Sequence, residues 1–163
     1  MTTNTQKPQS AVYAGSFDPP TLGHLDIIER ASNLFSLTIL IASNPAKNCL
    51  FSLATRQEML QESISQIKNV KVEVWDGLTV DYCKKEEVTV LIRGIRNGSE
   101  ADAEIALAQI NKSIYPEIET YLIPTQPQFS FVSSSYVREL LRYHKEIQAY
   151  VPKAVSKIIS RQT

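Results

Sequence analysis

Short apolar runs alternate with stretches of helical spacing along this chain, and that alternation decides what it can fold into. Ala11-Val12-Tyr13-Ala14, residues 37–42 and residues 88–92 are nearly all apolar, as strands buried on both faces of a parallel sheet are. Residues 70–74 alternate instead and read as a half-exposed strand near an edge; residues 118–123 form a fifth. Between them, Leu25, Ile28, Ala31 and Phe35 recur close to a helical period. Ser52 suits the N-cap of a helix to about residue 67, with Leu53, Leu60, Ile64 and Ile67 facing inward. Shorter helical stretches cover about 80–86, 100–114 and 133–143, and Pro152 suits the first turn of a last helix. Regular strand–helix alternation with right-handed crossovers implies an α/β fold, a Rossmann-like doubly wound parallel sheet of about five strands. The 163 residues fit a single domain over 11–163, preceded by a polar tail, 1–10, expected to be frayed.

Where such a sheet binds ligands is fixed by its direction: the loops that follow the strands gather at one carboxyl edge. Four of those loops carry chemistry here. After the first strand, Gly15 and Pro19-Pro20 end the run, because two prolines fix φ and remove two N–H donors. Thr21-Leu22-Gly23-His24 then opens a helix whose unpaired N–H groups suit a phosphate. Lys47 lies in the loop after the second strand, Arg93 and Arg96 after the fourth, and Ser133-Ser134-Ser135 at a later helix start. An arginine at the end of an apolar strand must leave the core toward something polar; an ion pair with Glu100, Asp102 or Glu104 is the structural alternative to a ligand. Three serines at one helix start exceed what a single cap requires.

Composition sharpens this. Seventeen basic residues balance seventeen acidic ones, so nothing points to a general nucleic-acid or membrane partner, and a cluster of cations at one edge calls for a local polyanion such as a string of phosphates. No G-x-G-x-x-G follows a strand, which disfavours a dinucleotide dehydrogenase. No apolar run approaches a membrane span, and the first ten residues lack the apolar core of a signal peptide. Cys49 and Cys83 have no metal-type spacing and read as idle thiols of a reducing cytoplasm.

The string GSFDPPTLGH, residues 15–24, resembles the first signature of the nucleotidylyltransferase superfamily, G-[ST]-F-D-x-x-[HT]-x-G-H. Its T-x-G-H form, with Thr21 where many members have histidine, resembles the phosphopantetheine adenylyltransferase family. N-P-x-K ending at Lys47, R-G-I-R at residues 93–96 and the serine cluster, which resembles I-S-S-[ST]-x-x-[RK], follow in the family's order, so the likeness spans residues 11 to about 155. The resemblance implies transfer of the adenylyl group of ATP to 4′-phosphopantetheine, giving dephospho-coenzyme A and pyrophosphate. It implies that His24 stabilises the transferring α-phosphate, and that Ser16 with the Phe17 amide touches both substrates. Lys47 and Arg93 would hold the acceptor phosphate, with Thr79 on the pantetheine side. Gly94, Ile95, Arg96, Glu104 and the segment Phe129, Ser130, Phe131, Val132, Ser133, Ser134 and Ser135 would hold ATP. It further implies Mg²⁺ carried with ATP, a cytoplasmic enzyme and a homo-hexamer. Two departures stand out: Ala14 replaces a proline, and Ala101 and Ala103 replace aromatics. Another nucleotidylyltransferase, acting on nicotinate mononucleotide or an alcohol phosphate, and a nucleotide-binding module without turnover are the alternatives.

Overall fold

In the computed structural model, which describes residues 8–43 and 48–162, the chain runs β1 (Ser10–Gly15), α1 (Leu22–Ser32), β2 (Ser36–Ser43), α2 (Leu53–Ser63), β3 (Val70–Asp76), α3 (Thr79–Lys85), β4 (Val90–Ile95), α4 (Gly98–Ile114), β5 (Glu119–Pro124), α5 (Ser134–Arg142) and α6 (Lys153–Gln162). The strands form one five-stranded sheet in the order β3-β2-β1-β4-β5, every pairing parallel. The expected doubly wound sheet is present, with the alternating strand, β3, at an edge. Period-two alternation sends successive residues to opposite faces. Ala11 and Tyr13 join the core under α1 and α2, with Ile27, Ile28, Ile39, Leu60 and Ile92. Val12 and Ala14 join the other face with Leu40, Tyr82, Cys83, Leu91 and Ile118. A third cluster seats α5 and α6 on α2 through Met59, Val137, Val151 and Val155.

The strand order reverses direction at β1, and that is where the sheet opens. β1 pairs with β2 along its whole length, from Ser10↔Ser36 to Gly15↔Ile41. Its ladder with β4 covers only Val12↔Leu91 and Tyr13↔Ile92. Beyond Tyr13 the two strands part, and a crevice forms at their carboxyl ends, the switch point at which such sheets bind ligands.

Three of the boundaries that differ from the sequence reading bear on the core and the site. β1 begins at Ser10, and the Gln9 carbonyl accepts from the Ser36 N–H at 3.0 Å; the rest of the tail expected to fray, 1–7, lies outside the described residues. α2 stops at Ser63 rather than near residue 67; Ile64 and Ile67 still pack on the core, but from a turn closed by Ile67 N–H to the Ile64 carbonyl at 2.8 Å. β4 runs through Arg93, Gly94 and Ile95, because its pairing with β5 continues to Ile95↔Pro124. Arg93 is therefore a strand residue, not the first residue of a loop. Cys83 is buried, Cys49 is half-buried and both are unpaired, so neither is part of a disulfide.

Candidate active site

The loop between β1 and α1 is held from outside by three elements. Phe17 adopts a left-handed backbone, φ 48°, which turns its ring inward beneath Gly15. A Cβ on Gly15 would stand 3.1 Å from that ring, so the glycine makes room for Phe17. Asp18 is buried, and its two carboxylate oxygens accept the Leu50 and Phe51 N–H groups at 2.8 and 2.9 Å. The buried Arg56 of α2 donates to the Ser16 carbonyl at 2.6 Å and the Phe51 carbonyl at 3.1 Å. From α5, Arg138 donates to the Asp18 carbonyl at 2.6 Å and Ser134 to the Pro19 carbonyl at 2.8 Å. The loop after β1, residues 50–51 ahead of α2 and the start of α5 are thus tied into one block.

His24 is held by the helix it opens. Thr21 is the N-cap of α1; its hydroxyl accepts the His24 N–H at 3.3 Å, and its own N–H donates to His24 Nδ1 at 3.0 Å. This is a capping box with histidine in the place usually taken by Glu or Gln. A backbone N–H can only donate, so Nδ1 is the acceptor and the proton of the neutral ring sits on Nε2. Phe17 meets the ring edge-on at 5.0 Å. Burial, with Arg96 and Arg93 nearby, pushes the imidazole down to about 4. At neutral pH it is an uncharged ring whose one donor, Nε2–H, has no partner among the described residues.

Two cavities meet at this ring. One, of about 280 Å³, is lined by Arg96, Glu100, Ala103, Glu104, Thr125, Val132 and Ser133. The other, of about 340 Å³, is lined by Gly15, Ser16, Phe17, Thr79 and Arg93. Tyr13, His24 and Gly94 line both and form the wall between them. Each cavity has one guanidinium held by one carboxylate. Arg93 donates to Glu104 through Nε at 2.7 Å and Nη2 at 2.6 Å, and through Nη1 to the Ala14 carbonyl at 2.6 Å, the one freed where β1 and β4 part. Burial works against its charge, but the Glu104 hydrogen bonds and charge hold its pKa above the usual arginine value. Arg96 is forked onto Glu100, which also takes the Arg96 N–H at 2.8 Å. Burial raises the Glu100 carboxyl, but these bonds outweigh it and hold the pKa below the usual range. Among the described residues two N–H donors of Arg93 stay uncommitted, one on each Nη, since the guanidinium has five in all.

The structure brings most of the expected residues together. Ser16, Phe17, His24, Thr79, Arg93, Gly94, Arg96, Glu104, Val132 and Ser133 all line one or both cavities. Ile95, Phe129, Ser130, Phe131, Ser134 and Ser135 do not. The Ile95 carbonyl accepts the Thr125 N–H at 2.9 Å, Phe131 is exposed beside Tyr150, and Ser130 bonds the Pro127 carbonyl at 2.9 Å. The serine cluster has internal partners: Ser133 caps α5 by accepting the Tyr136 N–H at 3.0 Å, Ser134 bonds Pro19, and Ser135 accepts from Arg138 at 3.1 Å. The ion pairing weighed as the alternative to a ligand is present in the ligand-free protein, with Glu104 and Glu100 and not Asp102. Lys47 lies outside the described residues. Sequence reasoning missed Tyr13, Asp18, Arg56 and Asp26. Asp26 is buried and accepts from Gln126 Nε2 at 2.7 Å and Arg30 at 3.0 Å, fixing the loop after β5 to α1. A charged residue on the apolar side of a helix was the available signal for Asp26 and Arg56; Tyr13 gave none.

Residues 12–140 match the cytidylyltransferase-like family model. A protein of Thermosynechococcus vestitus named phosphopantetheine adenylyltransferase is 48% identical over 148 residues, covering 90% of this chain and 88% of that protein. Proteins of the same name from Thermotoga neapolitana and Synechocystis are each 41% identical and cover 91% and 89% of this chain, and 93% and 92% of their own lengths. In fold, the chain matches a candidate nicotinate-nucleotide adenylyltransferase solved from Vibrio parahaemolyticus, with TM-score 0.73 over 95% of this chain and 93% of that one, at 19% identity.

Proposed function

Because the chain belongs to the phosphopantetheine adenylyltransferase family, we propose that it transfers the adenylyl group of ATP to 4′-phosphopantetheine, releasing pyrophosphate and dephospho-coenzyme A. The observation that carries the chemistry is the pair of cavities, each with one arginine, meeting at a shared wall that contains His24. ATP occupies the Arg96 side and the acceptor phosphate the Arg93 side. An oxygen of the acceptor phosphate bonds to the α-phosphorus as the bond from that phosphorus to the pyrophosphate oxygen breaks. A phosphate monoester is already largely dianionic near neutral pH, so no general base is needed.

What remains is alignment of two anions and stabilisation of charge. Neutral His24 supplies Nε2–H to the α-phosphate oxygen that gains charge, from a ring already fixed by Thr21 and Phe17. Arg93, with Lys47, takes the acceptor phosphate; Glu104 fixes the fork so that its two spare N–H groups are presented in one orientation. Arg96 takes the triphosphate, with Gly94 and Ile95 beside it and the segment 129–135 flanking the nucleotide. Ser16, Phe17 and Thr79 border the acceptor.

Among the described residues, no three His, Cys, Asp or Glu side chains are grouped to hold a metal ion, and Glu100 and Glu104 are committed to arginines. Mg²⁺ enters this reading as an ion carried on the triphosphate's own oxygens and water, and no step of the chain's chemistry is assigned to it. The reading also includes a homo-hexamer in the cytoplasm. Supporting assembly, α4 leaves Ile105, Leu107, Ile110 and Ile114 exposed, more apolar surface than a solvated helix face carries. Supporting a reducing compartment, both cysteines are free.

The test is ATP-dependent pyrophosphate release with 4′-phosphopantetheine, nicotinate mononucleotide and glycerol 3-phosphate offered separately. Only the first supports turnover. Comparable kcat/KM with either of the others contradicts the assignment.

A further inference from the structure

Tyr13 sits in the wall between the two cavities. The residue is 5% exposed. Its ring is fixed, edge-on to Phe17 at 5.5 Å and 6.5 Å from the His24 ring. The Thr21 N–H, one Nη1–H of Arg93 and the Nε–H of Arg96 are directed elsewhere, and among the described residues no hydrogen bond reaches the Tyr13 hydroxyl. The hydroxyl is not shut away: Tyr13 lines both cavities, and the one fully buried unpartnered side-chain atom among the described residues is Thr120 Oγ1, so a ligand in the cavities can reach the Tyr13 hydroxyl. The hydroxyl also has space beside it: a Cβ on Gly94 would lie only 3.4 Å from the oxygen, and its absence leaves the wall open there.

We infer that the Tyr13 hydroxyl donates a hydrogen bond to the phosphoryl group in transit between the cavities, a second donor beside His24. The inference rests on the adenylyl-transfer reading above. A group passing from one cavity to the other meets the residues common to both, and the transferring phosphoryl is the one part of either substrate that must make that passage. Two neutral donors on one wall then meet the oxygens whose charge rises during transfer, while the arginines hold the two ends. Burial raises the pKa of the hydroxyl, more than Arg93 lowers it, so it keeps its proton and stays a donor across the working pH range. The same hydroxyl is a poor base, in keeping with a reaction that needs none.

Tyr13→Phe removes the one atom and leaves the ring packing. Wild type and Tyr13→Phe are compared on the same panel of acceptors, with thermal melting of the ligand-free proteins alongside. Loss of one neutral donor to a charged oxygen lowers kcat on the order of 10- to 100-fold, with KM for ATP and for the acceptor nearly unchanged, and leaves Tm nearly unchanged. A merely structural hydroxyl gives the opposite pattern: lowered Tm and unchanged kcat. That result overturns the inference, as does a rise in KM without loss of kcat. The panel separates this from the reading it rests on. If a different acceptor turns over, the acceptor assignment falls while the kcat ratio on that acceptor still decides Tyr13; a wild type that transfers to none overturns both.

Discussion

Replacing His24 tests the chemistry where the geometry is most constrained. The imidazole contributes two separable things: Nδ1 accepts the Thr21 N–H at 3.0 Å, and Nε2–H is the donor left for the α-phosphate. His24→Ala removes both. Losing the Nδ1 bond costs the fold about 0.5–1.5 kcal/mol. Losing a preorganised donor to a developing oxyanion costs on the order of 10²–10³ in kcat, about 3–4 kcal/mol of barrier. Because the contact strengthens as charge builds, ATP affinity changes much less than kcat. His24→Gln separates the two roles. Glutamine is an ordinary third-position residue of a capping box, so its carbonyl can take the Thr21 N–H while its amide offers an N–H near the old Nε2. It should restore the lost stability and part of the lost rate. Urea unfolding, calorimetric ATP binding and steady-state pyrophosphate release measure the three quantities. A His24→Ala protein that keeps wild-type kcat and loses ATP affinity would refute this reasoning and make His24 a binding residue only.

Three further outcomes follow from the same geometry. Folding lowers the His24 pKa from 6.5 to about 4, so its neutral form contributes stability above pH 6.5 that is lost as pH falls through that window. Urea melts at pH 7.5, 5.5 and 4.5 should show wild type losing about 1–3 kcal/mol more than His24→Gln, and parallel losses would contradict it. Arg93→Ala, made with Glu104→Gln so that no carboxylate is left buried without its partner, should weaken acceptor binding by about 1.5–3 kcal/mol; the effect should vanish for pantetheine lacking its phosphate, and equal losses for both ligands would dissociate Arg93 from that phosphate. Asp18→Asn turns one amide-accepting oxygen into an NH₂ group facing the Leu50 or Phe51 N–H, which should cost about 1–3 kcal/mol of stability by urea unfolding; a neutral result would mean that the carboxylate latch does not hold the loop.

Much of the fold was legible because each strand announces its own environment. β1, β2 and β4 are apolar on both faces and lie inside the sheet, while β3 alternates and lies at its edge. The strand–loop–helix around Gly15 and His24 was legible for the same local reason, with prolines to end one element and helical spacing to mark the next. What could not be read were partners far apart in sequence. Asp18 meets residues 32 and 33 positions away, and Arg56 reaches 40 positions to Ser16; neither contact leaves a local pattern. Arg93 read as the first polar residue after a strand, yet β5 pairing extends β4 past it. Its choice of Glu104 over Asp102 depends on how α4 is turned, which spacing alone does not settle. Tyr13 looked like one more core residue, since its hydroxyl matters only where β1 and β4 separate and Gly94 leaves room.

The central claim is a single direct displacement between two substrates held on either side of one wall, with no side-chain nucleophile. The stereochemical course at phosphorus tests it most directly. The protein is given ATP bearing sulfur at a chirally defined α-phosphorus, together with 4′-phosphopantetheine, and the configuration of the thio-substituted dephospho-coenzyme A is determined. One in-line step predicts inversion. Retention would require two displacements through an adenylylated side chain and would contradict the account.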